Sequence, residues 1–396
     1  MVVYYFLAVL SCWFGLQSLL SGIRYAGYVR RETSRPLPKF EPFVSVVAPG
    51  RGLELGLADN LRPLLNQDYQ QYEVLFAFDA PDDPAIEIVD ELKSSTTVPT
   101  RTVIAGPATD SGQKVHNLRV AVNEVDPQSE VLVFVDTDAR PAKNWLRQLV
   151  APLADETLGA STGYRWFIPE HGGVSSRLRS VWNASVASAL GSDTAKNFCW
   201  GGSTAIRRQT FTRLNVADRW RGTVSDDFTI THVLKEAKLP IHFTPNCLVA
   251  SVGDCDFREL LEFTTRQIKI TRVYASHLWL PLLLGSSLFA IAFFGGLILL
   301  TLQILKILSP TVFLPLILLV IFALGATKSF IRFRAVSTVL KTSNLDLVAH
   351  IFLWPFASLL YLYNAIVAGF SRRIKWRGIT YELKSPTEAV IISRDS

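Results

Sequence analysis

Charge-free apolar runs at both ends of the chain constrain its fold more than any other feature. No charged side chain occurs before Arg24, a stretch of membrane-spanning length at about 20 residues. The cations Arg24, Arg30, Arg31 and Arg35 follow this run, whereas a cleaved signal peptide carries its basic residues in front. Residues 1–24 therefore read as a spanning anchor, with the N-terminus outside and the next domain in the cytoplasm. After Arg272 the charges vanish again until Lys306, then from Thr311 to Thr327, and again from Leu347 to Phe370. This predicts about three C-terminal spans within 276–370 and a multi-pass membrane protein. Four full crossings would put the basic segment SRRIKWRG (371–378) of the 371–396 tail outside, against the positive-inside tendency. Pro355, within LWPFA, marks a candidate kink or re-entrant segment, and the sequence leaves the side of the tail open.

The composition agrees: 49% hydrophobic and 19% charged residues in 396 exclude an ordinary soluble enzyme. The net charge of +6 is mostly juxtamembrane, which suits an anionic membrane surface and no nucleic acid. Cys12, Cys199, Cys247 and Cys255 lack paired metal-ligand spacing and are expected as reduced structural thiols.

Between the apolar ends, residues 40–256 alternate strand-like and helix-like segments. FVSVVAP (43–49), YEVLFAFD (72–79), TRTVIAG (100–106) and VLVFVD (131–136) read as strands. Helical segments LADNLRPLLNQ (57–67), DPAIEIVDEL (83–92, capped by Asp82 or Asp83) and KVHNLRVAVNEV (114–125) separate them. Such alternation predicts an α/β domain with a mostly parallel sheet and a ligand site beyond the carboxyl ends of the strands. Acids stand there: Asp79 ends the second strand, and Asp136 ends the fourth with Asp138 beyond it. Two residues apart on extended backbone, Asp136 and Asp138 face the same way. Their repulsion is relieved by a divalent cation, and Mg²⁺ or Mn²⁺ takes one or two carboxylates plus phosphate oxygens. Taken alone, D-x-D is as readily a polar turn capping WLRQLVAPL. A phosphatase loop of the D-x-D-x-(T/V) kind is disfavoured by Arg140.

In their order and spacing, DYQQYEVLFAFDAPDDPAIEIVDEL (68–92), GQKVHNL (112–118), VDTDAR (135–140), SDDF (225–228) and WRGITYEL (376–383) resemble the family 2-like membrane glycosyltransferases of GT-A fold. Within these the chain is most similar to ceramide glucosyltransferases and their bacterial relatives. The resemblance implies a Rossmann-like, cytosolic GT-A catalytic domain and the following roles. Asp79, or its neighbours Asp82 and Asp83, contacts the nucleoside; Lys114 and Asn117 line the nucleotide side; Asp136 and Asp138 hold the metal. Asp227 is the general base, with Asp226 beside it as donor-binding or helix-capping residue. The family's (Q/R)-x-x-R-W motif is altered to Arg266, Lys269 and Ile270; Arg and Lys still suit a pyrophosphate, but the indole is gone. The same stretch, 257–275, also reads as an interfacial amphipathic helix with Phe257, Leu260, Leu261 and Ile268 as its apolar stripe. In FCWGGSTAIRR (198–208), Gly201 and Gly202 permit close backbone approach to a sugar, and Trp200 offers a flat apolar face. A plain turn is the alternative, and His116 and His232 read as structural.

The expectation is a metal-dependent inverting transferase that moves a sugar, glucose first, from a UDP-sugar to a membrane lipid hydroxyl such as that of ceramide. Alternatives are a hopanoid or diacylglycerol acceptor, a processive polysaccharide synthase, and a silent scaffold keeping the fold. Joint retention of Asp79, Lys114, Asp136, Asp138 and Asp227 argues against the scaffold.

Overall fold

A computed structural model describes residues 1–54 and 56–395. The chain forms two compact units, each built from separated stretches of sequence. One comprises 31–168, 189–253 and 372–396, the other 1–30, 169–188 and 254–371.

The first unit is built on a seven-stranded, mostly parallel sheet: β1 (Val44–Pro49), β2 (Tyr72–Phe78), β3 (Thr100–Ile104), β4 (Val131–Phe134), β5 (Ala160–Ile168), β6 (Thr204–Arg207) and β7 (Ile241–Val252). Their order is β3-β2-β1-β4-β6-β5-β7, and only β6 runs antiparallel to its neighbours. Every residue of β1, β2 and β4 is buried, as expected where helices cover both faces. The edge strand β3 is half-exposed instead. The one charge within these three strands is partnered: Glu73 of β2 accepts from Ser45 Oγ at 2.6 Å, Asp126 N at 2.6 Å and Arg101 at 2.7 Å. Beneath the sheet, Val115 and Leu118 of the Gln113–Ala121 helix pack with Val47, Leu75, Phe134 and Trp220.

Residues 57–67, expected as one helix, form an α-turn over Leu57–Leu61 and a 3₁₀ turn over Arg62–Leu65. Pro63 lacks the N–H that a continuous helix needs there. The next helix starts after Pro84, and Asp83 caps it by accepting from Ala85 N at 2.9 Å. The basic tail is ordered: β8 (Arg373–Trp376), β9 (Ile379–Ser385) and β10 (Glu388–Arg394) make an antiparallel sheet within this same unit.

The second unit is helical. Val2–Thr33, which runs on into the other unit, Ser276–Ile304 and Phe313–Val336 are each long and apolar enough to cross a membrane. Asn344–Phe352 and Trp354–Phe370 form a pair bent by 60°, broken at Leu353, with Pro355 in the first turn of the second helix. The Phe257–Tyr274 helix opens on a capping box between Asp256 and Glu259. Its Leu260 and Ile268 are buried with Trp182, Leu360 and Ala365, while Phe257 is exposed. Most of the stripe expected to lie in the membrane interface therefore packs inside this unit.

Candidate active site

Past the carboxyl ends of β4 and β5, four carboxylates and two cations converge. Asp136 and Asp138 follow β4 directly. Lys114 stands in the first turn of the Gln113–Ala121 helix and bridges Asp136 Oδ1 at 2.7 Å and Asp226 Oδ1 at 3.0 Å. Arg165 of β5 reaches past β6 and bridges Asp136 Oδ2 at 2.9 Å and Asp138 Oδ2 at 3.0 Å. Its guanidinium also lies over the Trp200 ring, 4.8 Å from the centroid. Arginine's planar fork suits this bridging of two acids while stacking on an indole.

The charges hold one another in place. Burial alone would raise the Asp136 carboxyl, but Lys114 and Arg165 keep it below its ordinary value. Lys114 loses hydration too, yet Asp136, Asp226 and Asp227 hold its ammonium above the usual lysine range. Asp226 goes the other way: burial pushes it up to about 6, against the pull of Lys114 and with the push of Asp227 and Asp136. Two oxygens remain unsatisfied. Asp138 Oδ1 and Asp226 Oδ2 are buried without a hydrogen-bond partner, a costly arrangement for acceptors in a protein interior.

Gly201 and Gly202 are fixed by space. A Cβ on Gly201 would stand 2.1 Å from Asp226 Oδ2 and 2.8 Å from Lys114 Nζ; one on Gly202 would stand 2.8 Å from Asp136 Oδ2 and strike the Trp200 ring. Backbone thus lines the carboxylate cluster where any side chain would fill it. Trp200, buried, donates its backbone N–H to Thr162 Oγ1 at 3.1 Å, and its indole lies against the Tyr164 ring and the Arg165 guanidinium.

Asp226 and Asp227 open the Asp226–Glu236 helix, whose N-cap is Ser225. Negative charge is favoured at that end of the helix dipole. Asp227 Oδ1 accepts from Phe228 N at 2.7 Å and from Ser225 Oγ, which orients a half-buried carboxylate beside the cluster.

Farther along the sheet edge, Asp79 pairs with Arg51 at 3.3 Å, and Asp83 accepts from Gly52 N at 2.8 Å. Asp82 is exposed. Asn117 is fully buried: its amide donates to Ala77 O at 3.2 Å and Gly50 O at 3.4 Å and accepts from Gln113 at 2.8 Å. Those bonds tie the helix carrying Lys114 to the ends of β1 and β2, which makes Asn117 a positioning residue. Arg266 and Lys269 belong to the helical unit, where Arg266 lies over the Phe263 ring and Lys269 donates to Ser371 Oγ at 3.4 Å. His116 is bonded to Ala105 O at 2.9 Å and His232 pairs with Glu236 at 3.0 Å, both structural partners. Arg51 and Arg165 escape sequence reasoning. The only trace of Arg165 is that it is the single charge in the nine-residue buried strand ASTGYRWFI.

Among the described residues no group of three or more His, Cys, Asp and Glu is spaced to hold a metal by itself. Asp136 and Asp138 do offer oxygen donors of the hard kind, with Asp138 Oδ1 left over, so the pair fits a Mg²⁺- or Mn²⁺-class ion whose shell another molecule completes.

The sequence model of glycosyl transferase family 21 matches residues 3–389 of this chain. Among solved structures the chain is similar to the mannosyltransferase PcManGT from Pyrobaculum calidifontis in complex with GDP-Man and Mn²⁺, at 18% identity and TM-score 0.49, covering 91% of this chain and 98% of that one. It is also similar to glucosyl-3-phosphoglycerate synthase from Mycobacterium tuberculosis in complex with Mn²⁺ and UDP-Glc, at 14% identity and TM-score 0.35, covering 62% and 80%.

Proposed function

The chain belongs to glycosyl transferase family 21 and is a glycosyltransferase; from that premise we propose that it moves a sugar, glucose first, from a UDP-sugar to the hydroxyl of a membrane lipid such as ceramide, with inversion at the anomeric carbon. The observation that carries this reading is the cluster beyond β4 and β5, where four carboxylates face only Lys114 and Arg165 and two buried acid oxygens lack partners. That surplus of negative charge is matched to a divalent cation, to which a diphosphate could then bind.

Asp136 and Asp138 would hold the ion, which when bound supplies charge neutralisation for the departing diphosphate. Lys114 lies within reach of the same space and contributes a second positive charge to the leaving group. The glycine backbone at 201–202 leaves room for the sugar, with Trp200 and Arg165 as its floor. Asp227, oriented by Ser225 and the Phe228 N–H, takes the proton of the acceptor hydroxyl as it attacks the face opposite the diphosphate. A single displacement of this kind inverts the anomeric centre. Asp79 and Asp83, at the end of β2, serve the nucleoside. Arg24, Arg30, Arg31 and Arg35 after the first apolar helix support a cytoplasmic catalytic unit.

The deciding experiment incubates the protein in lipid bilayers with UDP-glucose, UDP-galactose, UDP-N-acetylglucosamine or GDP-mannose, each with ceramide, diacylglycerol or a hopanoid, and analyses lipid products by mass. Glucosylceramide formed with Mn²⁺ or Mg²⁺ and lost with chelator is the expected result. A product on another lipid moves the acceptor; a polymer overturns the single-transfer reading.

A further inference from the structure

The Arg373–Arg394 sheet touches three separate segments of its own unit, and each segment leads into the candidate donor site. Tyr381 Oη accepts from Gln113 N at 3.1 Å, while Arg394 donates to Gln113 Oε1 at 3.2 Å and to Ala108 O at 2.6 Å. Gln113 immediately precedes Lys114. In the turn after β9, the Thr387 carbonyl would lie 2.1 Å from a Cβ on Gly222, whose φ is +73°, in the loop that leads into Asp226. At the tip of the β8–β9 hairpin, Arg377 donates to Arg51 O at 2.9 Å and pairs with Glu54. Arg51 in turn pairs with Asp79, and its Nη1 is buried without an acceptor.

The hairpin's own chemistry marks Arg377 as chosen for its side chain. The turn Arg377-Gly378 has φ of +47° and +72° at its two central residues, the conformation that prefers Asn-Gly or Gly-Gly. An arginine held in that region is strained, and such strain persists where surrounding contacts over-determine it. Those contacts here are the Arg51 carbonyl and Glu54.

We propose that the C-terminal sheet is a working part of the donor site and that Arg377 is a positioning residue, setting the Arg51 turn so that Arg51 and Asp79 together meet the nucleoside diphosphate. The inference rests on the UDP-sugar reading above. Arg377 touches neither the D-x-D pair nor Asp227, so it governs donor affinity and leaves the chemical step alone.

The test uses the full chain in lipid bilayers, with wild type, Arg377→Gly and Arg377→Lys. Glycine relieves the positive φ while deleting the guanidinium; lysine keeps the charge without the fork. Rates of nucleotide release and nucleotide dissociation constants are measured with UDP-glucose and UDP, and with GDP-mannose and GDP, beside thermal unfolding. The wild-type preference between the two donors scores the UDP-sugar reading by itself. For the preferred donor, Arg377→Gly is expected to raise KM and the nucleotide dissociation constant about tenfold, with kcat within twofold and an unchanged or higher Tm, and Arg377→Lys to recover only part of the loss. Unchanged KM in Arg377→Gly overturns the proposal. So does a KM rise that comes with a lowered Tm or an equal fall in kcat, because Arg377 would then serve folding alone.

Discussion

At the scale of single residues, Asp227 is the sharpest case. Replacing its carboxylate by an amide keeps the acceptor that Phe228 N and Ser225 Oγ use, but removes the proposed base. Asp227→Asn is expected to slow transfer by roughly 10²–10⁴-fold with the UDP-glucose dissociation constant unchanged; a parallel collapse of affinity would make Asp227 a binding residue. Gly201 gives a steric test with an internal control. A methyl group at Gly201 displaces Asp226 or Lys114, and a displacement near 1 Å at a reacting centre costs on the order of 10²-fold. Gly191→Ala, which meets nothing within 4 Å, should leave turnover as it was. Equal activity of the two variants, read in one assay, would mean that the Gly201 backbone does not line the site. Asp136 and Asp138 draw the eye in the sequence because they follow an apolar strand, whereas Asp226 and Asp227, at a helix start, are told from ordinary capping residues only by the family resemblance. Arg165 is not legible in this way, because its partners lie 27 and 29 residues earlier, just past a strand that is not even its neighbour. Strand order is a property of the whole sheet, and no local pattern encodes it.

At the scale of elements, the Phe257–Tyr274 helix shows what periodicity does and does not reveal. Its apolar stripe is real, and the sequence identifies the helix and its face, but an apolar face is the same whether lipid or protein covers it. The structure buries Leu260 completely and joins it to Trp182 and Leu360. Leu260→Ala is therefore expected to lower stability by about 2–5 kcal/mol, and Asp256→Ala, which removes the cap, by about 1 kcal/mol. Thermal unfolding in a fixed detergent measures both. A Leu260→Ala protein that keeps its stability but loses activity only on bilayer-embedded acceptor would return the stripe to the interface. The tail sheet is the complementary case: Ile379, Tyr381 and Leu383 are buried in alternation along β9, a period-2 signal. The charges of SRRIKWRG outweighed it, so the segment read as a basic tail. Long basic side chains on a sheet's exposed face do not argue against the sheet.

At the scale of the whole molecule, the tail's place in the fold decides how often the chain crosses the bilayer. Residues 372–396 belong to the same compact unit as 31–168 and 189–253, through bonds such as Tyr381 to Gln113 and Arg394 to Ala108. Segments of one compact unit would lie on one side of a membrane, and we propose on that ground that the stretch between 253 and 372 crosses an even number of times. Ser276–Ile304 and Phe313–Val336 are each long and apolar enough for one crossing. On this proposal the 60° pair of Asn344–Phe352 and Trp354–Phe370 would enter and leave on the same face, as a re-entrant element. Such an element would agree with the positive-inside tendency, because SRRIKWRG would stay with the sheet-bearing unit. The four native cysteines are free and none is fully exposed, so single introduced cysteines can report sidedness. Lys306→Cys, in the turn between the two crossing helices, is expected to react with an impermeant maleimide on intact cells. Lys341→Cys, ahead of the bent pair, and Lys375→Cys, in β8, should react only after permeabilisation. Labelling of Lys375→Cys on intact cells would make the bent pair a full crossing, and the tail sheet and the catalytic sheet could not then share a unit.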